Sequence, residues 1–381
     1  MPAGRISCWH FFCSFVKMMN KTLILLLLFI FNAATLEGQD INAFSDVNNR
    51  LYQFIEGSFQ QIYYQRTKDV LVGNQYVAYI DSKGDVYVHY KAEKFMVAQT
   101  YNEIAVTDNL LFVKTNNVLR VFDQGIKHIL SSNAMVYGYN DSLVVFQDNI
   151  GGYLKYYWKD EIHEISMVVG TYPLLDGEVG ANVFIYKDIA GNNSIFWHGK
   201  FYPLFSSSYT TRFNCGQDVA AFNDPQSQTF AVFDNGEVID AEPQQAIQYK
   251  CGNNFVYYQD GTETHKVYQN EKVYDLGFDL QNIDVTDSIV IFEDVGISKV
   301  WYDGETYRIY NSKIRDYQVD GGIVAWPNQW GGINAFVRGK EVEITRAKIL
   351  DFKLAGSTIV LKFGPSSYKV WWNGRMYDFT S

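Results

Sequence analysis

The sequence predicts an all-β fold, a β-propeller of four-stranded antiparallel blades, and three observations predict it. Apolar runs recur along the chain: VAYID (77–81), LFVKTN (111–116), VVFQD (144–148), FIYKD (184–188), AAFND (220–224), VYYQD (256–260), VIFED (290–294), VAWPN (324–328) and VLKFG (360–364). Their last residues lie 32 to 40 positions apart, with a mean near 35. Each unit also carries two turn dipeptides, and no amphipathic run at helical period follows the N-terminal leader. A short, repeated four-strand unit of this kind buries its faces only by stacking against its neighbours in a ring.

The unit at 316–345 serves as the pattern. Strand A is DYQV (316–319), B is GIVAW (322–326), C is INAFV (333–337) and D is EVEIT (341–345). A and B are joined by pairs such as Thr107-Asp108, Asn140-Asp141 and Asp320-Gly321, and C and D by Asn235-Gly236, Asp303-Gly304 and Asn373-Gly374. Asn-Gly and Asp-Gly accept the positive backbone angles of two-residue hairpins, so both connections read as tight antiparallel turns. The B–C and D–A connections are longer and more variable, as in PNQWGG. Unit four holds the one insertion, around Met167 to Asn182.

Nine repeats of about 35 residues imply a nine-bladed ring over residues 67–381, with an eight-bladed ring or two small propellers as alternatives. Residues 39–66 read as an N-terminal segment whose LYQFIEGSFQQIYYQ (51–65) forms one orphan C–D hairpin. A membrane barrel is excluded, because its strands need roughly 9 to 11 residues each. An open β-solenoid fits the tight hairpins less well than stacked blades do.

Residues 1–38 read as a secretory signal, with Met18 or Met19 as a second candidate start. Its apolar run from Thr22 to Ala34 follows Lys17 and Lys21 and is short beside the roughly 20 residues of a bilayer span. Cleavage yields an exported chain, periplasmic, cell-surface or secreted; retention of the leader as an N-terminal anchor is the alternative. Removing Arg5, Lys17, Lys21 and Glu37 from 32 basic and 42 acidic residues leaves 29 and 41. That acidic balance, with no basic stripe, excludes a nucleic-acid binder. Hydrophobic residues at 47% and aromatics at 17% exclude disorder.

The quoted unit, an inner strand, a tight turn, an apolar strand ending in Asp and an aromatic-rich strand closing at a Gly turn, resembles the propeller repeats of the TolB and WD40 type. The resemblance spans roughly residues 67–380 and implies the fold alone, since the Gly-His and Trp-Asp dipeptides of WD40 repeats are missing.

The most regular polar feature is the carboxylate or amide closing strand B: Asp81, Asp148, Asp188, Asp224, Asp260, Asp294 and Asn328. These groups either accept backbone N–H groups of their own turns or form an electronegative rim for a basic partner or Ca2+. Trp158, Trp197, Trp301, Trp371 and Trp372 recur at one place on strand C and read as interblade packing, whereas Trp330, in a Gly-bounded loop, reads as a stacking platform. Cys215 and Cys251 are 36 residues apart in the same phase, which makes them candidates for a bridge between neighbouring A strands. No metal site is expected from His89, His128, His163, His198 and His265, which are spread over outer strands. The expectation is a non-enzymatic binding scaffold without a cofactor, presenting its loop-bearing face to a protein or glycan of the cell envelope or exterior. A carbohydrate-active or other hydrolytic propeller is the alternative.

Overall fold

The computed structural model describes residues 40–167, 179–188, 190–206 and 211–380. The leader expected over residues 1–38 lies outside them, as does most of the unit-four insertion. Ten antiparallel sheets follow one another along the chain, eight with four strands and two with three among the described residues. Within each complete sheet the strands pair in sequence order, so every blade is a simple meander. The strands proposed for the unit at 316–345 are found at Gln318–Asp320, Ile323–Pro327, Ile333–Val337 and Lys340–Thr345.

The blade count is ten, not nine, eight or a split between two rings. The additional blade is the first. The supposed orphan hairpin, Leu51–Ile55 with Ser58–Tyr63, has a strand B of its own in Ile41–Ser45, paired from Ile41 opposite Ile55 to Ser45 opposite Leu51. Its signal stands in the sequence: Phe44-Ser45-Asp46 repeats the aromatic-x-Asp ending, 35 positions before Asp81. No tight A–B turn announces that strand among the described residues, which is why the repeat pattern passes over it.

Apolar packing explains why the units form a ring. The buried side chains fall into ten clusters, each contributed mainly by two neighbouring blades. The cluster of Phe44, Tyr52 and Phe54 with Val360, Tyr368 and Val370 joins the last blade to the first. Polar contacts reinforce that junction: Asn42 Nδ2 donates to the carbonyls of Lys353 (3.1 Å) and Thr358 (3.2 Å), and Tyr368 Oη donates to Ser45 O (3.0 Å). Among the described residues, closure therefore rests on face-to-face packing between the last blade and the first. Burying aromatic rings at ten small interfaces replaces the single core a chain of this size would otherwise need.

The exposed edges lie on the outer D strands. In nine of the ten C–D ladders the register shifts by a bulge at the corresponding place, for example between Leu119 and Arg120 and between Ser298 and Lys299. A bulge twists the outer strand and breaks its row of pairing groups, which guards the edge against another chain.

Candidate functional site

The two ends of the strands differ in chemistry. At the B–C end, the closing carboxylates are engaged by their own turns. Asp81 Oδ1 accepts the backbone N–H groups of Lys83, Gly84 and Asp85, at 2.8 to 3.0 Å. Asp188 accepts those of Ala190 and Asn192, both at 2.8 Å, and Asp224 those of Gln226 and Ser227. Asp148 accepts Ile150 N, Ser131 Oγ and Lys155 Nζ, while Asp294 pairs with Lys299 Nζ at 2.6 Å. Burial pushes the Asp260 carboxyl up, but Lys266, Thr262 and the Thr264 N–H outweigh it and hold the group at about 2. Asn328 Oδ1 accepts the N–H groups of Trp330 and Gly332. Asp46 in the first blade does the same with the N–H groups of Asn48 and Arg50. Asx turns of this kind use the side-chain oxygen as a substitute for a turn carbonyl.

Trp330 is 52% exposed and carries the Arg346 guanidinium 5.1 Å from its ring centroid. The indole is therefore a cation–π partner as well as an open surface. The strand-C tryptophans, by contrast, pack between blades: Trp301 lies against Phe255 and Tyr274, and Trp158 against Phe196. His89 is buried and bonded through Nδ1 to Gln53 Oε1 across the junction of the first two blades, and His265 faces Tyr257 Oη at 2.7 Å. Among the described residues, no group of three or more His, Cys, Asp or Glu is placed to hold a metal ion.

Cys215 and Cys251 are buried thiols on adjacent A strands, not a disulfide. Cys251 Sγ donates to Asn214 O at 3.0 Å, and burial pushes its thiol far up.

The opposite, A–B end contains a feature that the sequence marked only as turn dipeptides. The A–B turns bond to one another from blade to blade: Asn74 N donates to Asp108 O, Asp108 N to Asp141 Oδ1, Gln217 N to Asn253 O and Asn253 N to Asp287 O. Glycine is obligatory where they nest, since a Cβ on Gly216 would stand 1.8 Å from Gly252 O. Burial first, and then the charges of Asp141, Asp320 and Asp287, push the Asp108 carboxyl up to about 7. Asp108 belongs to the third blade and Asp287 and Asp320 to the eighth and ninth, so carboxylates from opposite sides of the ring influence one another. Burial likewise raises Asp141, Asp287 and Asp320.

The two ends also differ in where their exposed apolar side chains sit. Tyr64, Ile150, Phe278, Val295, Trp330 and Leu350 are large exposed apolar side chains in B–C turns or D–A loops. At the opposite end Ile126, Ile162, Phe201, Val238 and Val273 are also exposed, but they lie at the start of strand D beside the C–D turns, not within a turn. No single position in the repeat predicts the loop tips, because they occupy the loops whose lengths vary.

A closed ring of meander blades with one loop-rich face defines a β-propeller. The chain matches the 10-bladed beta propeller domain over residues 35–377 and belongs to that family. No curated protein matches it. Among solved structures it is similar to the computationally designed Ika8 protein, with a TM-score of 0.32 and 13% identity over 80% of this chain and 95% of that one. It is also similar to PorZ, an essential bacterial surface component of the type-IX secretion system of Porphyromonas gingivalis, with a TM-score of 0.25 and 11% identity over 88% of this chain and 57% of PorZ. A third is the CRINKLY WD40 ectodomain of an Arabidopsis thaliana receptor kinase, with a TM-score of 0.31 and 9% identity over 64% of this chain and 93% of that one.

Proposed function

We propose that the chain is an exported, non-enzymatic scaffold that holds a protein partner on the face formed by its B–C and D–A loops. The observation carrying this reading is the set of large apolar side chains exposed in the loops of that face, Tyr64, Ile150, Phe278, Val295, Trp330 and Leu350. Solvated apolar side chains gathered on one side of a rigid body are the raw material of an interface core. The turn-bound carboxylates support the same reading, since their oxygens serve the loops rather than a ligand. Export rests on the leader at residues 1–38.

A hydrolytic propeller is the second reading, favoured by Asp108, whose carboxyl near 7 suits a general acid. Asp108 stands at the A–B end, away from Trp330, so sugar stacking and acid catalysis would have no shared pocket.

Pull-down from envelope extracts tests the scaffold. Ile150→Asp combined with Phe278→Asp weakens partner capture, while Lys91→Glu in a C–D turn preserves it; capture unchanged by the first pair and also by Trp330→Ala overturns the reading. Intact-mass measurement of the exported chain shows a start near residue 39, whereas the full mass in the membrane fraction would establish a retained anchor.

A further inference from the structure

The apolar tips of the loop-bearing face are not chemically alike, and those of the last two blades stand out by charge. Residues 313–369 carry nine Lys and Arg against five Asp and Glu, while the rest of the chain carries 23 against 37. At the loop-bearing end of these blades, Trp330 and Leu350 are exposed beside Arg346 and Lys348, themselves exposed.

The backbone under this patch is fixed from several directions. Asn328 Oδ1 holds Trp330 N at 3.1 Å and Gly332 N at 2.9 Å. Ile349 N donates to Gly331 O at 2.9 Å, which ties the D–A loop to the B–C loop of the ninth blade. Leu350 N donates to Lys362 O at 2.7 Å, which ties the same loop to strand B of the tenth blade. The stem of Lys348 lies against Gly331, where a Cβ would approach its Cγ to 3.2 Å. Arg346 spans Trp330 and Glu343, with Nε 2.8 Å from Oε1. Trp330 and Leu350 are thus displayed on a platform that need not be ordered on binding, which lowers the entropic penalty of association.

We propose that the Trp330–Leu350 platform docks an acidic segment of the protein partner, with apolar side chains of that segment seated on the indole and Leu350 and its carboxylates facing Arg346 and Lys348. This deepens the scaffold reading above and rests on it. Charge complementarity selects the occupant, since a local basic excess on an acidic chain attracts an acidic partner and orients its approach. Trp and Arg are also the residues in which interface energy concentrates. Leu350 favours a peptide over a glycan, because a sugar ring stacks on the indole but has no use for an adjacent exposed aliphatic chain.

The test uses a displayed library of random 12-residue peptides against the full chain. The expected result is enrichment of peptides rich in Asp and Glu with Leu or aromatic anchors. Their binding falls at least tenfold in Trp330→Ala and in Lys348→Glu, and weakens as salt rises. Lys348→Glu alters an exposed side chain and keeps the test informative if Trp330→Ala folds poorly. No enrichment, enrichment of neutral or basic peptides, or binding by both variants as tight as by the wild type overturns the proposal. Oligogalacturonate bound in place of peptides, with loss in the same variants, overturns it in favour of an anionic glycan. Partner capture that depends on Ile150 and Phe278 but not on Trp330 or Lys348 leaves the scaffold standing and removes this platform; capture dependent on neither removes both.

Discussion

Tyr377 of the last blade lies flat against the turn glycine of the first: a Cβ on Gly57 would stand 3.1 Å from Tyr377 Cε1. The same contact joins Tyr90 to Gly125, Trp158 to Gly199, Trp197 to Gly236, Tyr274 to Gly304 and Tyr307 to Gly339. The closing junction is therefore built like the internal ones. At each of these C–D turns the glycine meets two needs at once, a positive φ and room for the ring of the preceding blade.

That pairing predicts a difference between two glycines of the same turn type. Gly57 has φ +84° with Tyr377 above it, whereas Gly374 has φ +76° with nothing within 4 Å. Gly374→Ala loses only the backbone preference, about 1 kcal/mol. Gly57→Ala adds displacement of the ring at the closing junction and loses more, about 2 to 3 kcal/mol in total. Urea denaturation of both variants measures the gap, and equal losses would remove Tyr377 from the account.

A buried tyrosine makes a second interblade link. Tyr157 Oη donates to Asp123 Oδ2 at 2.9 Å and to Asp160 Oδ1 at 3.2 Å. Burial pushes the Asp123 carboxyl up, and the Tyr157 bond opposes that rise. Tyr157→Phe leaves a buried carboxylate short of a donor and costs about 1 to 3 kcal/mol at neutral pH. The penalty shrinks at pH 4, where protonation relieves the charge; thermal melts at the two pH values would show it.

The axial carboxylates make stability depend on pH. The folded Asp108 value of about 7 exceeds the ordinary carboxylate value, so folding favours the protonated form. The support is complete below the unfolded value, about 4, and is lost as pH rises through the folded one. Asp108→Asn mimics the protonated state. It is expected to raise the melting temperature at pH 8, leave it nearly unchanged at pH 4, and flatten the profile between them. A variant with the wild-type profile would show that the ring does not confine this charge.

The thiols offer a simple chemical check. Cys251 is buried and its thiol is pushed far up, so little thiolate is present at neutral pH. Iodoacetamide is expected to leave the native chain largely unlabelled at Cys215 and Cys251 and to label both after unfolding in denaturant without reductant. Protection that persists in denaturant until reductant is added would reveal a bridge.

The blades, their order and both kinds of hairpin were legible because each depends on local chemistry: alternating side chains, Gly-bounded turns and an Asp closing strand B. The role of Asp81 or Asp260 within its own turn was legible for the same reason, the acceptor and its donors lying within four residues. Trp330 stood out because it breaks the repeat, but its neighbour Arg346 did not, since the two meet only through the pairing of separate loops. The first blade was missed because its cue, Phe44-Ser45-Asp46, stands ahead of any recognisable A–B turn.

The propeller class, the run of short antiparallel strands and the acidic character of the chain can be read from the residues alone, because all three follow from composition and from interactions a few residues long. It took the assembled ring to show that there are ten blades, that Asn42 closes onto Lys353 and Thr358, that the charges of Asp287 and Asp320 reach Asp108, and that Trp330 meets Arg346. Those relations join residues from over a dozen to hundreds of positions apart. The first three are set by how many wedge-shaped blades pack face to face before the first meets the last, a sum over every interface that no single repeat contains.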